Sequence, residues 1–293
     1  MSDKIPFNKP FLTGDETRYI EAAVNSGKIS GNGEFTKKCH EFFQNKYRFR
    51  KCLLTTSCTD ALEMASILLD IKQGDEVIMP SFAYVSVANA FVLRGAQIVF
   101  CDSLPLSPNI DPTQIEKLIS NKTKAIVIIH YAGIACDMDE IMRIANDHNI
   151  YVVEDAAHAI DTTYKGQPLG SIGHLATFSF HETKNIIAGE GGMLVINDEQ
   201  FCNRAEIIWE KGTNRRAFFD KEVDKYSWVD IGSSFMPSDI IGAFLFAQLE
   251  NLDRIHEKRI AIWNKYDTAF QKLQHRIKLP EIPKFASNNG HMY

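Results

Sequence analysis

The sequence predicts an α/β protein whose large domain rests on a mainly parallel seven-stranded sheet covered by helices. Short apolar runs alternate with amphipathic stretches from about residue 51 to residue 200, the pattern of stacked βα units. Seven of these runs are short and rich in branched residues or Phe, as buried strands are. Past residue 200 the texture changes to long, charged helical segments.

The predicted strands are Lys51–Thr56, Glu76–Met79, Gln97–Cys101, Ala125–His130, Ile150–Glu154, Leu175–Phe180 and Met193–Ile196. Helices fit between them. From Thr59 to Leu69, the residues Leu62, Ala65, Leu68 and Leu69 share one face. Asp111-Pro112 supplies an N-cap followed by proline at the first helical position, and Met138 to Asp147 forms another helix. Helical texture then runs from Ser238 through Leu273, with a strand-like Arg276–Leu279 after it. Residues 1–240 are therefore expected to form a large domain with an N-terminal helical arm, and residues 241–293 to begin a small C-terminal one. The sequence reaches Tyr293 soon after a proline-bearing loop, so that small domain is expected to be incomplete, as in a truncated product.

A chain that is 45% apolar and 24% charged reads as an ordinary soluble protein. Its net charge of -5 sets up no overall field for a polyanion, so nucleic acid is not an expected partner and any phosphate site must be built locally. No run reaches the roughly 18 apolar residues of a spanning helix, and no leader pattern opens the chain, so a cytoplasmic protein without membrane contact is expected. Cys39, Cys52, Cys58, Cys101, Cys136 and Cys202 include no Cys-x-x-Cys pair, which argues against zinc and against a disulfide framework; no metal is expected.

Three segments carry chemistry. The strand ending Leu53-Leu54-Thr55-Thr56 leads through Ser57-Cys58-Thr59-Asp60 into a helix, and such a turn presents free N–H groups and hydroxyls to a phosphate. Alone it is more often an ordinary helix cap than a phosphate site. In Val152-Val153-Glu154-Asp155-Ala156-Ala157-His158 a buried-type strand ends in carboxylates where open α/β sheets bind ligands. A carboxylate there either caps the next turn or keeps a pyridine nitrogen protonated. Lys184 follows the strand Ala176-Thr177-Phe178-Ser179-Phe180 and precedes Gly189-Glu190-Gly191-Gly192. A lysine so placed is either solvated or partly desolvated, and desolvation would favour the free, nucleophilic amine. A phosphate cradle, an acid for a ring nitrogen and an amine for an aldehyde at the strand ends of one sheet are the three functions pyridoxal phosphate (PLP) requires.

The ordered set Thr56-Ser57-Cys58-Thr59-Asp60-Ala61-Leu62, Gly74-Asp75-Glu76-Val77-Ile78, Glu154-Asp155-Ala156-Ala157-His158, Phe178-Ser179-Phe180 through Lys184-Asn185, and Gly189-Glu190-Gly191-Gly192 resembles the DegT/DnrJ/EryC1/StrS sugar aminotransferases. The resemblance runs from about Gly27 to the end. It implies a PLP-dependent transferase of fold type I, the aspartate-aminotransferase type, working as a homodimer. By position it implies that Lys184 carries the cofactor and acts as catalytic base, and that Asp155 pairs with the pyridine nitrogen. His158 would lie near the ring hydroxyl, Tyr84 would stack on the ring, and Cys58, Thr59 and Ser179 would hold the phosphate. It further implies amino transfer from L-glutamate to the C4 ketone of the nucleotide sugar dTDP-4-dehydro-6-deoxy-D-glucose, with C3 amination or a cofactor-binding but catalytically impaired remnant as alternatives.

The chain departs from the family at Gly232-Ser233-Ser234-Phe235-Met236-Pro237, where members usually carry Gly-x-Asn-aromatic-Arg-Met; the missing asparagine and arginine put a contact from the neighbouring subunit in doubt. Lys28, Arg215 and Arg216, in polar loops, are the candidates to neutralise a nucleotide diphosphate, although such residues are as commonly solvated loop charges. Related sugar dehydratases carry histidine at the lysine position, and a nicotinamide-dependent epimerase would need Gly-x-Gly-x-x-Gly after its first strand; Lys184 and the absence of that motif speak against both.

Overall fold

A computed structural model describes residues 4–293. In chain order the elements are α1 (Glu16–Asn25), α2 (Glu34–Tyr47), β1 (Lys51–Thr55), α3 (Cys58–Leu68), β2 (Glu76–Pro80), α4 (Val85–Val92), β3 (Gln97–Cys101), α5 (Pro112–Leu118), β4 (Thr123–Ile129), α6 (Met138–His148) and β5 (Tyr151–Asp155). A short hairpin of β6 (Thr163–Tyr164) and β7 (Gln167–Pro168) follows, then β8 (Leu175–Ser179), β9 (Gly192–Ile196), α7 (Cys202–Trp209), α8 (Arg215–Phe219), α9 (Asp239–Leu249) and α10 (Leu252–Phe270).

Seven strands form one sheet in the order β1-β9-β8-β5-β4-β2-β3. It is parallel except for β9, which runs antiparallel to both β1 and β8. All seven predicted strands are present, with ends shifted by at most two residues. Because successive side chains point to opposite faces, each strand feeds two cores. Leu53, Val77, Val127, Val153 and Leu194 pack under α3, α4 and α7. Leu54, Ile78, Ile126, Val152 and Val195 pack under α2, α6 and α9. Burial on both faces is why these strands read as continuous apolar runs.

The helical texture from 238 to 273 is carried by α9 and α10, separated at Glu250-Asn251. One expectation about the C-terminal third is corrected. Arg276–Leu279 is a turn and bend, largely exposed, and not a strand. Its alternating pattern suits a strand, but a strand needs a partner, and these residues join no ladder or bridge among the described residues. The outer edge of β1 is already closed by side chains: the Leu54 N–H donates to His40 Nε2 at 2.9 Å, and the Trp209 indole N–H donates to the Leu54 carbonyl at 2.6 Å.

The N-terminal arm is fixed by a cap supplied from far along the chain. Asp239, 1% exposed at the start of α9, accepts from the backbone N–H groups of Phe35 and Thr36 at 3.2 and 2.8 Å and from the Thr36 hydroxyl at 2.7 Å. These satisfy the otherwise orphaned donors at the start of α2. Tyr19, Phe35 and Phe246 cluster beside the cap and tie α1, α2 and α9 together.

Replacing Asp239 by alanine strands three buried donors and should cost about 2 to 4 kcal/mol in a denaturant titration. A loss under 1 kcal/mol would show that the cap contributes little. His40 should make the fold acid-labile. Its Nε2 is an acceptor and must stay unprotonated, and burial, then the Lys51 charge, push its pKa down to about 4. A histidine whose folded pKa lies below its unfolded value contributes stability at pH above about 6.5, lost as pH falls toward about 4, up to about 3 kcal/mol in all. The change in denaturation midpoint between pH 7 and pH 4.5 should be smaller in His40→Gln; an unaltered change would assign the effect to other groups.

Candidate active site

The strand directions bring the carboxyl ends of β1, β8, β5 and β4 and the start of β9 to one side of the sheet. Thr55 through Thr59, Ser179 through Lys184, Asp155 through His158, and Gly191-Gly192 therefore meet there, where open α/β sheets bind ligands.

The turn into α3 is built by Ser57, whose side chain accepts the Asp60 N–H at 3.0 Å as N-cap. Thr55 Oγ1 donates to the Ser57 carbonyl at 2.7 Å, and the Thr56 hydroxyl bonds to Asp60. The N–H groups of Cys58 and Thr59, at the first two helical positions, cannot be satisfied within the helix and point out of its positive end. Gly192 pairs with Thr55 on one side and Ser179 on the other. A Cβ there would collide with the Ser57 carbonyl and the Cys58 nitrogen, so only glycine lets β9 lie against this turn and bring Ser179 beside it.

Asp155, the last residue of β5, is 5% exposed. Its Oδ1 accepts the Ala157 N–H at 3.0 Å, and its other oxygen has no hydrogen-bond partner among the described residues. Burial raises its pKa, against the Ala157 N–H and the Lys184 and His130 charges. Lys184 is half-buried on the loop after β8; burial lowers its pKa, against attraction from Asp155 and Cys58. Each group is thus nearer its neutral form than it would be in water, despite their mutual attraction. Thr177, which faces Asp155 across the β5–β8 ladder, has a buried hydroxyl that, among the described residues, has only the weakly accepting Cys58 thiol beside it and no oxygen or nitrogen partner. These are the groups PLP would satisfy: helix N–H donors for its phosphate, a carboxylate oxygen for a protonated ring nitrogen, and an amine for its aldehyde. The residues present fit it.

His158 closes the site on the β4 side. Its Nδ1 accepts the Ala132 N–H at 3.3 Å, and burial, followed by the Lys184 charge, pushes its pKa down to about 3. Tyr131 meets the ring edge-on at 5.3 Å, and Phe82 meets Tyr131 edge-on at 5.0 Å. Behind Asp155, His130 Nε2 bonds Glu154 at 2.8 Å, and Glu154 also accepts the N–H groups of Gly170, Ile172 and Gly173; against the cost of burial, His130 and then the Gly173 and Gly170 N–H groups lower its pKa.

Of the predicted site residues, Lys184, Asp155, His158, Ser179, Cys58 and Thr59 are brought together. Tyr84 is the N-cap residue of α4 and is 77% exposed. Lys28, Arg215 and Arg216 line a separate cavity of about 810 Å³ along the outer edge of β1, with Lys51, His40 and Glu206. Arg216 pairs there with Glu206 and Asp220, and Lys28 donates to the Asn32 carbonyl. Phe235, from the segment that departs from the family, accepts the Thr56 N–H at 3.1 Å and so abuts the phosphate turn. Sequence reasoning missed Thr177, Arg259, Asn289 and His291. The last three lie 75 or more residues beyond Lys184, and no local pattern marks them. Among the described residues no group of His, Cys, Asp and Glu is arranged to hold a metal ion, and no helix is long and apolar enough to cross a membrane.

The model of the DegT/DnrJ/EryC1/StrS aminotransferase family matches residues 10–293. The spore coat polysaccharide biosynthesis protein SpsC of Bacillus subtilis is 34% identical over 293 residues, 99% of this chain and 75% of SpsC. GDP-perosamine synthase of Caulobacter vibrioides is 34% identical over 286 residues, 96% of this chain and 75% of the synthase. Among solved structures, Spr1654 of Streptococcus pneumoniae in its PLP form superposes with a TM-score of 0.88 at 26% identity, covering 99% of this chain and 77% of that one. The same protein is also known in the pyridoxamine-phosphate form. A match of this length, on a chain whose strand ends carry the groups PLP needs, places the protein in the DegT/DnrJ/EryC1/StrS aminotransferase family, whose cofactor is PLP.

Proposed function

We propose that the chain is a nucleotide-sugar aminotransferase. In this reading it transfers the amino group of L-glutamate to C4 of dTDP-4-dehydro-6-deoxy-D-glucose, giving dTDP-4-amino-4,6-dideoxy-D-galactose, as in assembly of enterobacterial common antigen. The observation that carries amino transfer is Lys184, half-buried, with its pKa lowered and Asp155 buried beside it. A sugar acceptor is supported by relatives named for perosamine and spore coat polysaccharide synthesis. The choice of dTDP, of C4 and of the galacto product rests on the resemblance of the sequence.

When bound, PLP supplies an electron sink for the carbanion formed at the reacting carbon. The chain's own groups do the rest. Cys58 and Thr59, through their backbone N–H groups, and Ser179, through its hydroxyl, bind the phosphate and fix the ring in the site. Asp155 keeps the ring nitrogen protonated, its raised pKa reversed once a cation lies against it. Lys184 Nζ, its pKa lowered by burial, would move the proton from the donor carbon to the cofactor's reacting carbon in the first half-reaction and from there to the sugar carbon in the second. His158 offers a hydrogen bond to the ring hydroxyl, and Tyr84 covers the ring. Lys28, Arg215 and Arg216 take the diphosphate. Their separate cavity is compatible with this only if they serve the site of a second copy, so the reading includes a homodimer. Phe82, Tyr84 and Trp228, all more than half exposed, support such an interface. The same reading divides the chain into a cofactor-binding part, 1–240, and the start of a smaller part, 241–293.

Lys184→Ala should lose the visible absorption of lysine-bound cofactor and lower turnover by at least about 10³-fold; retained turnover would identify another base. Asp155→Asn should still bind cofactor but slow turnover by about 10²-fold or more. Incubation with glutamate and either dTDP- or GDP-linked 4-keto-6-deoxy sugar, read by mass spectrometry and NMR of the product, tests the acceptor. The expected product is the dTDP-linked 4-amino sugar; amination of the GDP-linked sugar alone, or at C3, would overturn the assignment.

A further inference from the structure

The segment Asn289-Gly290-His291 is folded against the lysine loop although it lies about a hundred residues downstream. Asn289 is fully buried, and its side-chain N–H groups donate to the His158 and Ile160 carbonyls at 2.8 and 2.9 Å. Gly133, with φ at 78°, lies so close that a Cβ would stand 2.5 Å from Asn289 Oδ1 and 2.8 Å from the His158 carbonyl. The Asn185 side chain donates to the Asn289 carbonyl at 3.0 Å, and its Oδ1 lies 2.8 Å from His291 Nδ1. The Arg259 guanidinium donates to the Lys184 carbonyl at 3.2 Å, and the Lys184 N–H donates to the His181 carbonyl at 2.9 Å.

The hydrogen bonds fix two tautomers. With its amide N–H on the Asn289 carbonyl, Asn185 presents only Oδ1 to His291, so His291 Nδ1 carries a proton. His158 Nδ1 accepts the Ala132 N–H, so the proton of a neutral His158 sits on Nε2. The two rings stack with centroids 4.2 Å apart and planes 21° off parallel, a geometry that opposes two imidazolium charges. Tyr131 holds the His158 ring from another side, edge-on. Burial disfavours charge on either ring, and the charged neighbours add to it: Lys184 beside both rings and Arg259 beside His291.

We propose that His291 is a positioning residue of the Lys184 site. Anchored by Nδ1–H on Asn185 and stacked on His158, it holds the His158 ring neutral with its Nε2–H available to a ligand, and through Asn185 it braces the loop that carries Lys184. The proposal rests on the reading of Lys184 as the reactive amine. Arg259 bonds the Lys184 carbonyl and His291 the side chain of its successor, so the loop is held from both while, among the described residues, neither bonds the amine itself. That arrangement suits a group that must reach one atom of a bound ring repeatedly.

Two variants separate stacking from anchoring, and both are read first in cofactor-free protein. His291→Ala loses stack and anchor; His291→Phe keeps a flat ring and loses the anchor. NMR titration of His158 should show its midpoint rising by about one pH unit or more in His291→Ala and by less in His291→Phe. Amide exchange across residues 181–188 should quicken by about tenfold in both variants, while residues 193–196 of β9 keep their protection as a control for folding. An unchanged His158 midpoint in His291→Ala, or unchanged exchange of the lysine loop in both variants, would overturn the proposal. In cofactor-loaded protein, the pH dependence of the visible band should shift in His291→Ala. Absence of any visible band in the parent would instead count against Lys184 as the cofactor lysine, while the cofactor-free measurements would still decide the role of His291.

Discussion

The approach of β9 to the turn before α3 is the constraint on which the site depends. Only a residue without a side chain fits at Gly192, between Thr55 and Ser179 and against the Ser57-Cys58 peptide. Because β9 runs antiparallel to both neighbours, its start, and not its end, lies at the ligand edge. The loop from Phe180 to Gly191 must therefore leave β8 and return on that same side, which is what places Lys184 over the sheet edge beside Asp155. A longer side chain at 192 would push the phosphate turn and the lysine loop apart together.

Within that frame, burial sets the chemistry. It moves Asp155 up and Lys184 down, each toward neutrality, against their attraction for one another. Such a pair is poorly satisfied by itself and well satisfied by a group that brings a cation to the carboxylate and an electrophile to the amine. The Thr177 hydroxyl, without an oxygen or nitrogen partner among the described residues, points the same way. By contrast Glu154, one residue before Asp155, is fully paired by His130 and three backbone N–H groups. Neighbouring carboxylates on one strand thus divide into a fully paired one and one that keeps an oxygen without a partner among the described residues, because side chains alternate between the two faces of the sheet.

Much of this was legible in the sequence. Strands buried on both faces leave continuous apolar runs, and short motifs at strand ends keep their spacing, so the sheet and the placement of Lys184, Asp155 and the Cys58-Thr59 turn at one of its edges could be read directly. Contacts made by distant segments could not. Arg259, Asn289 and His291 reach the lysine loop only through the packing of α10 and the segment after it; Arg259 reads as any charged helix residue, and Asn289 and His291 as part of any polar turn. Arg276–Leu279 failed for the complementary reason: its alternating pattern was real, but pairing depends on an available edge, which a pattern does not report. Lys28, Arg215 and Arg216 were read as candidates for a diphosphate, and their common cavity lies on the outer edge of β1, a relation between elements that no spacing encodes.

The central claim is that Lys184 is the amine that takes PLP. Borohydride reduction of protein equilibrated with the cofactor, followed by peptide mapping, tests it without reference to any sugar substrate. The account predicts a single stable phosphopyridoxyl modification on Lys184, lost when free glutamate has first converted the cofactor. Modification spread over other lysines, or none at Lys184, would contradict it.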